Sequence, residues 1–185
     1  MKPIASIGGR LALICAVAAL ALGFVNNITE PRIALYKQAM LEEALAAVVP
    51  AGKAGEGVDV SGDPVVKVRY PITQGDSVTG YVLKLVGVGY GGDLVIIASF
   101  AVDGSIIAVR LMDNAETPGL GKNAENEGYM DKFVGTGADR PVPVKKNQLT
   151  QADSDAVTGA SVTFSGVGKA LEAGSEYVKT LGGRS

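Results

Sequence analysis

The sequence predicts an α+β protein, with a single N-terminal transmembrane helix followed by a soluble domain of antiparallel sheet with packed helices. Three observations lead to this prediction. Residues 11–25 are an uncharged apolar run, residues 65–112 contain stretches with strand-like patterning, and a helical pattern of apolar residues closes the chain. Strands followed by helices, without regular alternation, are typical of α+β domains. The chain has 185 residues, which suits one domain plus an appendage.

The membrane anchor is predicted from residues 11–25, LALICAVAALALGFV, with Ile28 extending the apolar character. A spanning helix needs about 20 apolar residues, and the run reaches that length with its polar ends included. A cleaved signal peptide is the alternative, with Ala19-Leu20-Ala21 as the cleavage site. The uncleaved anchor is favoured because apolar residues continue past that site. Cys15 lies inside the run and is interpreted as a packed or lipid-facing residue.

The orientation of the anchor is weakly encoded. Lys2 and Arg10 precede the apolar run, and Arg32 and Lys37 follow it, so the basic residues are tied. The short N-terminal segment favours an N-inside topology. We therefore expect residues 1–30 to form a membrane anchor with a short cytoplasmic segment, and residues 31–185 to form an extracytoplasmic domain.

An amphipathic helix is predicted after the anchor. Pro31 suits the first turn of a helix, and Pro50 would stop it. Apolar residues between them recur at helical spacing: Ile33, Leu35, Met40, Leu41, Ala44, Leu45 and Val48. Residues 51–63 are rich in glycine and predict a flexible loop.

Strands are predicted at residues 65–70, 80–90, 94–102 and 105–112. The third is apolar on both faces, which favours a central position in the sheet. Asp103-Gly104 separates the last two runs, and such a pair is typical of a hairpin with a type I′ turn, which needs positive φ at both positions.

The remaining elements are a loop at residues 114–123, a short helix at residues 125–135, and a proline-broken, lysine-rich stretch up to residue 147. A terminal helix is predicted to begin near Ser161 or Thr163, despite glycines at positions 166, 168 and 174. Its apolar face holds Val167, Ala170, Leu171, Tyr177, Val178 and Leu181.

The composition excludes several classes of function. The chain has one cysteine and no histidine, which excludes an intrachain disulfide, zinc sites built on Cys or His, and catalysis by a histidine base. Its net charge of −2 does not favour binding to nucleic acid. No catalytic residue and no metal ligand is predicted, and the composition favours a protein that binds something over a hydrolase.

A stretch dense in hydroxyls, DSDAVTGASVTFS at residues 153–165, precedes the terminal helix. The free amides of a helix's first turn favour a phosphate, and Gly159-Ala160 is small enough for backbone to approach a ligand closely. Ser161 or Thr163 would then place a hydroxyl beside that phosphate. The alternative is ordinary N-capping by Ser or Thr.

A second stretch, residues 116–121, reads ETPGLG. Pro118-Gly119 predicts a type II turn, with glycine at the position that needs positive φ. A glycine-rich turn beside a strand end can press its backbone against a flat ring. The alternative is a simple turn that follows a strand.

Together these stretches resemble the family of the G subunit of the Rnf electron-transport complex and its relative, the C subunit of the sodium-pumping NADH:quinone reductase. The resemblance rests on four features in the same order: the N-terminal apolar helix followed by Pro31 and an amphipathic helix, Gly89-Tyr90-Gly91-Gly92 before an apolar strand and Asp103-Gly104, the NAETPGLG signature at residues 114–121, and DAVTGAS at residues 155–161.

The resemblance implies FMN joined through its phosphate to a hydroxyl side chain by a dedicated flavin transferase. Ser161 occupies the position of the modified residue, usually threonine in that family, and Thr163 is the rival. Asp155 matches the leading acid that the transferase recognises, and Asn114 stands where the family often has histidine. The other expected FMN-binding residues are Thr158, Gly159, Ala160, Val162, Glu116, Thr117, Gly119, Leu120 and Gly121. The apolar contact to the flavin is left open among Leu120, Tyr90 and Tyr129.

The function that the resemblance implies is an electron-carrier subunit of a membrane ion-translocating ferredoxin:NAD oxidoreductase, with no independent turnover. Its partners would be the other membrane subunits of that complex. It would lie in the bacterial inner (cytoplasmic) membrane, with its soluble domain on the periplasmic side. The alternatives are the C subunit of the quinone reductase and an anchored binding module without a redox role. A transfer enzyme with Ser161 as nucleophile is disfavoured because there is no histidine to activate it.

Overall fold

The computed structural model describes residues 2–75 and 77–182, with side chains described from Ile7 onward. The side chain of Lys2, which entered the orientation argument, therefore lies outside the described residues. The chain divides into two compact units, Met1–Leu41 and Glu42–Ser185. The α+β fold class predicted from the sequence is confirmed.

The first element, α1, is one helix over Lys2–Val48 with Pro31 inside it. The predicted helix start at Pro31 is therefore wrong. Proline removes one backbone bond, here the one to the carbonyl of Asn27, and α1 continues on both sides of it. Two residues earlier, the Thr29 hydroxyl donates to the Val25 carbonyl at 2.6 Å. The helix ends at Val48, before Pro50, as predicted.

One helix in the described part of the chain is long and apolar enough to cross a membrane. It covers Ile7–Val48, its most apolar window has a mean hydropathy of 2.2, and that window has no buried residues within the structure. Its large side chains, among them Leu20, Leu22 and Phe24, are exposed. This agrees with the predicted anchor in length and composition.

The soluble unit is built on an antiparallel sheet in the order β1-β3-β4-β5-β6, with β2 also paired to β3. The strands are β1 Lys53–Ala54, β2 Val58–Asp59, β3 Val66–Gln74, β4 Ser77–Val88, β5 Asp93–Ala101 and β6 Ile106–Asn114. The four predicted strands are confirmed as β3 to β6. The loop predicted at residues 51–63 is partly wrong, because β1 and β2 pair within it. Two-residue strands are too short to show an alternating pattern, and the open edge of β3 decides their pairing.

The β5–β6 hairpin is confirmed, but its predicted type I′ turn is wrong. Of Asp103 and Gly104, only Gly104 has positive φ, at 87°, because among the described residues positive φ occurs at glycines alone. Gly104 N donates to Ala101 O at 3.0 Å, and Ala101 N donates to Ser105 O at 2.9 Å. This is a three-residue loop, a type I turn closed by a glycine bulge. Asp103 Oδ1 accepts from Ser105 N at 2.8 Å and favours this alternative.

The terminal helix α3, Ser161–Gly182, packs on one face of the sheet. The core between them is formed by alternate residues of the central strands, including Leu83, Leu85, Ile96 and Phe100, together with Phe164, Val167, Leu171 and Val178. The glycines of α3 mark close approaches. A Cβ on Gly166 would collide with the Val88 carbonyl, and one on Gly174 would lie 2.9 Å from the Phe100 ring.

The end of α1 belongs to the soluble unit. Ala44 and Val48 in this segment are buried. The Glu43 carboxylate forms an ion pair with Arg110 at 2.8 Å. Arg110 on β6 pairs in register with Ile97 on β5. The Ile97 side chain is buried but does not belong to the core beneath α3.

The connection from β6 to α3 is mostly irregular. It contains 3-10 turns at Gly121–Glu125, Met130–Phe133 and Lys146–Gln148, and a short helix α2, Gln151–Ala156. The helix predicted at residues 125–135 is reduced to the Met130–Phe133 turn. Helix α2 was not predicted because its residues have no apolar periodicity. Thr150 caps it by accepting from Asp153 N.

Candidate functional site

Helix α3 begins at Ser161, at the position predicted for a phosphate site. The first backbone bond of the helix runs from Phe164 N to Ala160 O at 2.8 Å. The amides of Ser161, Val162 and Thr163 therefore have no acceptor among the described residues. Three free N–H groups and the positive end of the helix dipole make this end of α3 attractive to an anion.

The two candidate hydroxyls at this end differ in burial. The Ser161 side chain is half-buried, and its hydroxyl makes no hydrogen bond within the described part of the chain. It does not cap the helix, so the capping alternative has no support at this residue. Thr163, two residues further on, points to the opposite side of the helix and is 1% exposed. Thr158 is exposed and donates from its hydroxyl to Ser154 O at 3.0 Å.

The stretch before Ser161 lies against the second predicted stretch. Gly159 has φ of 89°, and a Cβ there would lie 3.7 Å from Leu120 Cδ2 and 3.9 Å from Asn123 Nδ2. The positive φ favours glycine at this position. The fold therefore brings the TGAS and ETPGLG stretches together across 39 residues of chain, although neither pattern alone indicated that contact.

The ETPGLG stretch forms the predicted type II turn. Leu120 N donates to Thr117 O at 3.2 Å, and Gly119, at the third position, has φ of 77°. Thr117, Gly119 and Leu120 are exposed, and Leu120 keeps 52% of its surface exposed. This loop offers an accessible apolar side chain and bare backbone beside Gly159.

Glu116 is buried at the base of this loop, with 4% of its surface exposed. Its Oε1 accepts from Tyr90 N at 2.8 Å and from Gly91 N at 3.3 Å. Its own amide donates to Asn114 Oδ1 at 3.1 Å. The carboxylate of this predicted FMN-binding residue is thus engaged by backbone amides of the β4–β5 turn.

The three candidates for apolar contact with a flavin differ in access. Tyr90 is 80% exposed and Leu120 is half exposed, whereas Tyr129 is buried. Val88 and Val162 are also exposed at this end. Val162 lies within the predicted motif, but Val88 was missed because it ends an apolar strand and its pattern predicted only burial.

Tyr129 supports the start of α3 from the core. Its hydroxyl donates to Ala160 O at 3.2 Å, and its ring meets Phe164 edge-on at 6.2 Å between centroids. The ammonium of Lys132 lies 5.6 Å from the centre of that ring. Burial, and secondarily the negative charge of Glu116, raise the pKa of Tyr129. The phenol therefore stays protonated and available as a donor.

Asp155, the expected recognition residue for a flavin transferase, lies on α2 and is exposed. Gln151 Nε2 donates to Asp155 Oδ1 at 2.9 Å. Its carboxylate is accessible to an enzyme that approaches the start of α3.

Comparison with known proteins gives this site a family context. The FMN-binding domain family matches residues 89–176, a range that contains both stretches. The chain is 30% identical over 171 residues to the G subunit of the ion-translocating oxidoreductase complex of Cereibacter sphaeroides, covering 84% of this chain and 75% of that protein.

Two further relatives align over nearly the whole chain. It is 29% identical to the G subunit of the proton-translocating ferredoxin:NAD(+) oxidoreductase complex of Clostridium ljungdahlii, covering 94% of this chain and 91% of the relative. It is 28% identical to the G subunit of the ion-translocating oxidoreductase complex of Methanosarcina acetivorans, covering 98% of both. The similarity therefore includes the N-terminal helix as well as the FMN-binding range.

Proposed function

We propose that this chain, which belongs to the G-subunit family of ion-translocating oxidoreductase complexes, is the membrane-anchored subunit that carries electrons on an FMN joined to Ser161. The main observation in support of the proposal concerns the Ser161 hydroxyl. It is accessible and without a partner among the described residues, beside three free amides of α3 and next to the Leu120 loop.

The residues present fit a phosphorylated flavin. The amides of Ser161, Val162 and Thr163 can donate to phosphate oxygens, and a phosphodiester keeps one negative charge that the helix end stabilises. Attachment forms a bond between Ser161 Oγ and phosphorus. In the same step the bond from phosphorus to the leaving group of an activated flavin phosphate breaks, the leaving group departs with the electron pair, and the serine proton passes to solvent. The product is equivalent in mass to the chain plus FMN less one water.

FMN supplies the redox chemistry when it is bound, by accepting and passing on electrons. The protein's own residues have simpler tasks. Leu120 and Val162 offer apolar surface that can exclude water from one side of a ring, and Gly119 and Gly159 let backbone approach it closely. Tyr129 holds the Ala160 carbonyl and so fixes the turn from which Ser161 projects.

The anchor and the relatives support a cellular setting for the proposal. Three of the proteins similar to this chain are named as complex subunits, one of them of a ferredoxin:NAD(+) oxidoreductase. We place this chain in a complex of that kind, with other membrane subunits as electron partners. Its soluble unit would lie on the extracytoplasmic face of the bacterial inner membrane, and it would have no turnover of its own.

The test is in-gel flavin fluorescence of the denatured full chain, co-produced with a flavin transferase. The wild-type band should fluoresce. Ser161→Ala should abolish the signal, Ser161→Thr should keep it, and Thr163→Val should keep it because the Thr163 residue is 1% exposed. A dark wild-type band would contradict the proposed function, and a dark Thr163→Val band with a fluorescent Ser161→Ala band would move the site.

A further inference from the structure

The buried carboxylate of Glu116 joins two loops that are distant in sequence. Its Oε1 accepts from the amides of Tyr90 and Gly91, which lie 26 and 25 residues earlier in the chain. The first loop, residues 89–92, connects β4 to β5, and the second, residues 117–121, follows β6 and carries Leu120. Glu116 is the point at which the two loops are tied.

The glycines around Glu116 leave a space shaped for its carboxylate. A Cβ on Gly89 would collide with Oε1, and a Cβ on Gly121 would collide with Oε2. A Cβ on Gly91 would collide with the Ala115 carbonyl, next to Glu116. Backbone from both loops therefore closes on the carboxylate from two sides, which a side chain on any of these glycines would prevent.

Burying this carboxylate costs free energy, because the group loses its hydration. It has no ion pair within the described part of the chain, and only backbone amides compensate its lost hydration. Hydrogen bonds from amides to a charged acceptor are stronger than neutral ones, so the two contacts hold the 89–92 loop firmly. The result is that Tyr90, 80% exposed, is fixed beside the Leu120 loop.

We propose that Glu116 is a positioning residue of the flavin site: it clamps the 89–92 loop to the 117–121 loop and does not itself contact the flavin. Tyr90 and Leu120 then lie at one edge of the proposed flavin site. The Leu120 side chain lies close to Gly159, just before the start of α3. The inference rests on the proposed function for its consequence, but the clamp is a property of the chain alone.

The clamp is tested by hydrogen exchange of backbone amides, followed by NMR on the full chain in detergent micelles without flavin. In Glu116→Ala the amides of Tyr90 and Gly91 should exchange about tenfold faster or more, as expected when a charge-assisted bond is lost. Glu116→Gln keeps an oxygen acceptor and should restore most of the protection. Glu116→Asp, shorter by one methylene, should behave like alanine and decides the matter if the alanine variant does not fold.

Two controls make the readout specific. Glu127→Ala removes an exposed glutamate of the same connection and should leave both amides unchanged. The Gly104 amide, bound to Ala101 O at 3.0 Å, should exchange alike in all variants. Unchanged exchange of Tyr90 and Gly91 in both Glu116→Ala and Glu116→Asp would overturn the clamp.

The positioning role is tested on the flavin-loaded chain. Visible circular dichroism of the flavin should weaken in Glu116→Ala and recover in Glu116→Gln, while the mass of the adduct stays the same in both. Unaltered dichroism in a variant whose 89–92 loop exchanges faster would overturn the positioning role. A wild-type chain without FMN would instead contradict the proposed function, and the exchange experiment would still decide the clamp.

Discussion

Ser161 and Thr163, the two hydroxyl residues near the start of α3, point in different directions from the helix. Successive residues of an α-helix are rotated by about 100°, so residues two apart point in nearly opposite directions. Thr163 therefore points into the core beside Phe164, while Ser161 keeps an accessible hydroxyl. The sequence alone allowed either residue as the flavin carrier, and burial now favours Ser161.

Tyr129→Phe tests the support beneath Ser161. The variant loses the bond to Ala160 O and should lower the free energy of unfolding of the soluble unit by about 1 kcal/mol at neutral pH. Thermal unfolding followed by circular dichroism measures the loss. Tyr90→Phe is the matched control, because that hydroxyl is on an exposed side chain and its removal should leave stability unchanged.

The pH dependence of the same variant follows from the raised pKa of Tyr129. A group whose pKa is raised on folding stabilises the folded state below its unfolded pKa, about 10 for tyrosine, and that contribution is lost as pH rises above it. Tyr129→Phe should therefore lose less stability than the wild type between about pH 10 and pH 11. The pKa of Tyr70 is also raised, by burial and then by the charge of Asp59. Because Tyr70 is present in both proteins, the variant should still lose part of its stability over this pH range. Identical alkaline profiles for the variant and the wild type would contradict this account.

At the scale of elements, α3 approaches β4 through glycine. A Cβ on Gly166 would collide with the Val88 carbonyl, and one on Gly87 would lie 2.8 Å from the Gly166 carbonyl. The glycines that weaken the helical pattern in the sequence are thus the ones that let the helix backbone reach the sheet. Their cost in helix propensity is offset by closer packing of the core.

Gly166→Ala tests this packing. Overpacking should lower the free energy of unfolding by about 1–3 kcal/mol, although alanine is the better helix former by about 1 kcal/mol. Glu172→Ala introduces alanine at an exposed position of the same helix without a packing clash, and it should be neutral or slightly stabilising. Thermal unfolding of both variants checks the prediction, and a Gly166→Ala variant as stable as Glu172→Ala would show that α3 can move away from β4 without cost.

The elements that the sequence predicted are those with a repeating apolar pattern. Helix α3 buries one face, so helical spacing appears in its residues, and strands β3 to β6 are apolar runs bounded by turn residues, with β5 buried on both faces. Helix α2 and strands β1 and β2 were missed because a cap at Thr150 and pairing with β3 form them, and neither leaves a period. The continuation of α1 through Pro31 was missed because proline there costs one bond without ending the helix.

The candidate site shows the same division. Glycines with positive φ and the order of the two motifs could be predicted from the sequence, because each depends on local backbone conformation. The contact between Gly159 and Leu120, and the bonds from Tyr90 and Gly91 to Glu116, depend on tertiary structure. Glu116 was expected to bind the cofactor directly, and its burial favours a role behind the site.

For the whole molecule, the orientation in the membrane is open to a direct test. Cys15 is the only cysteine, and it lies in the apolar part of α1. A cysteine introduced by Glu127→Cys should be labelled by a membrane-impermeant maleimide in intact spheroplasts, because we propose that the soluble unit is extracytoplasmic. Lys2→Cys should be labelled only after permeabilisation, and the unaltered chain should stay unlabelled. Labelling of Lys2→Cys alone in intact spheroplasts would reverse the proposed topology.

The most direct test of the central claim is peptide mass spectrometry on the wild-type chain co-produced with a flavin transferase. Cleavage after Lys146 and Lys169 isolates residues 147–169, which contain both candidate hydroxyls. We expect a mass increase of FMN less one water, with fragment ions that place it on Ser161. An unmodified peptide would contradict the claim that this protein carries covalent FMN, and a modification on Thr163 would contradict the site.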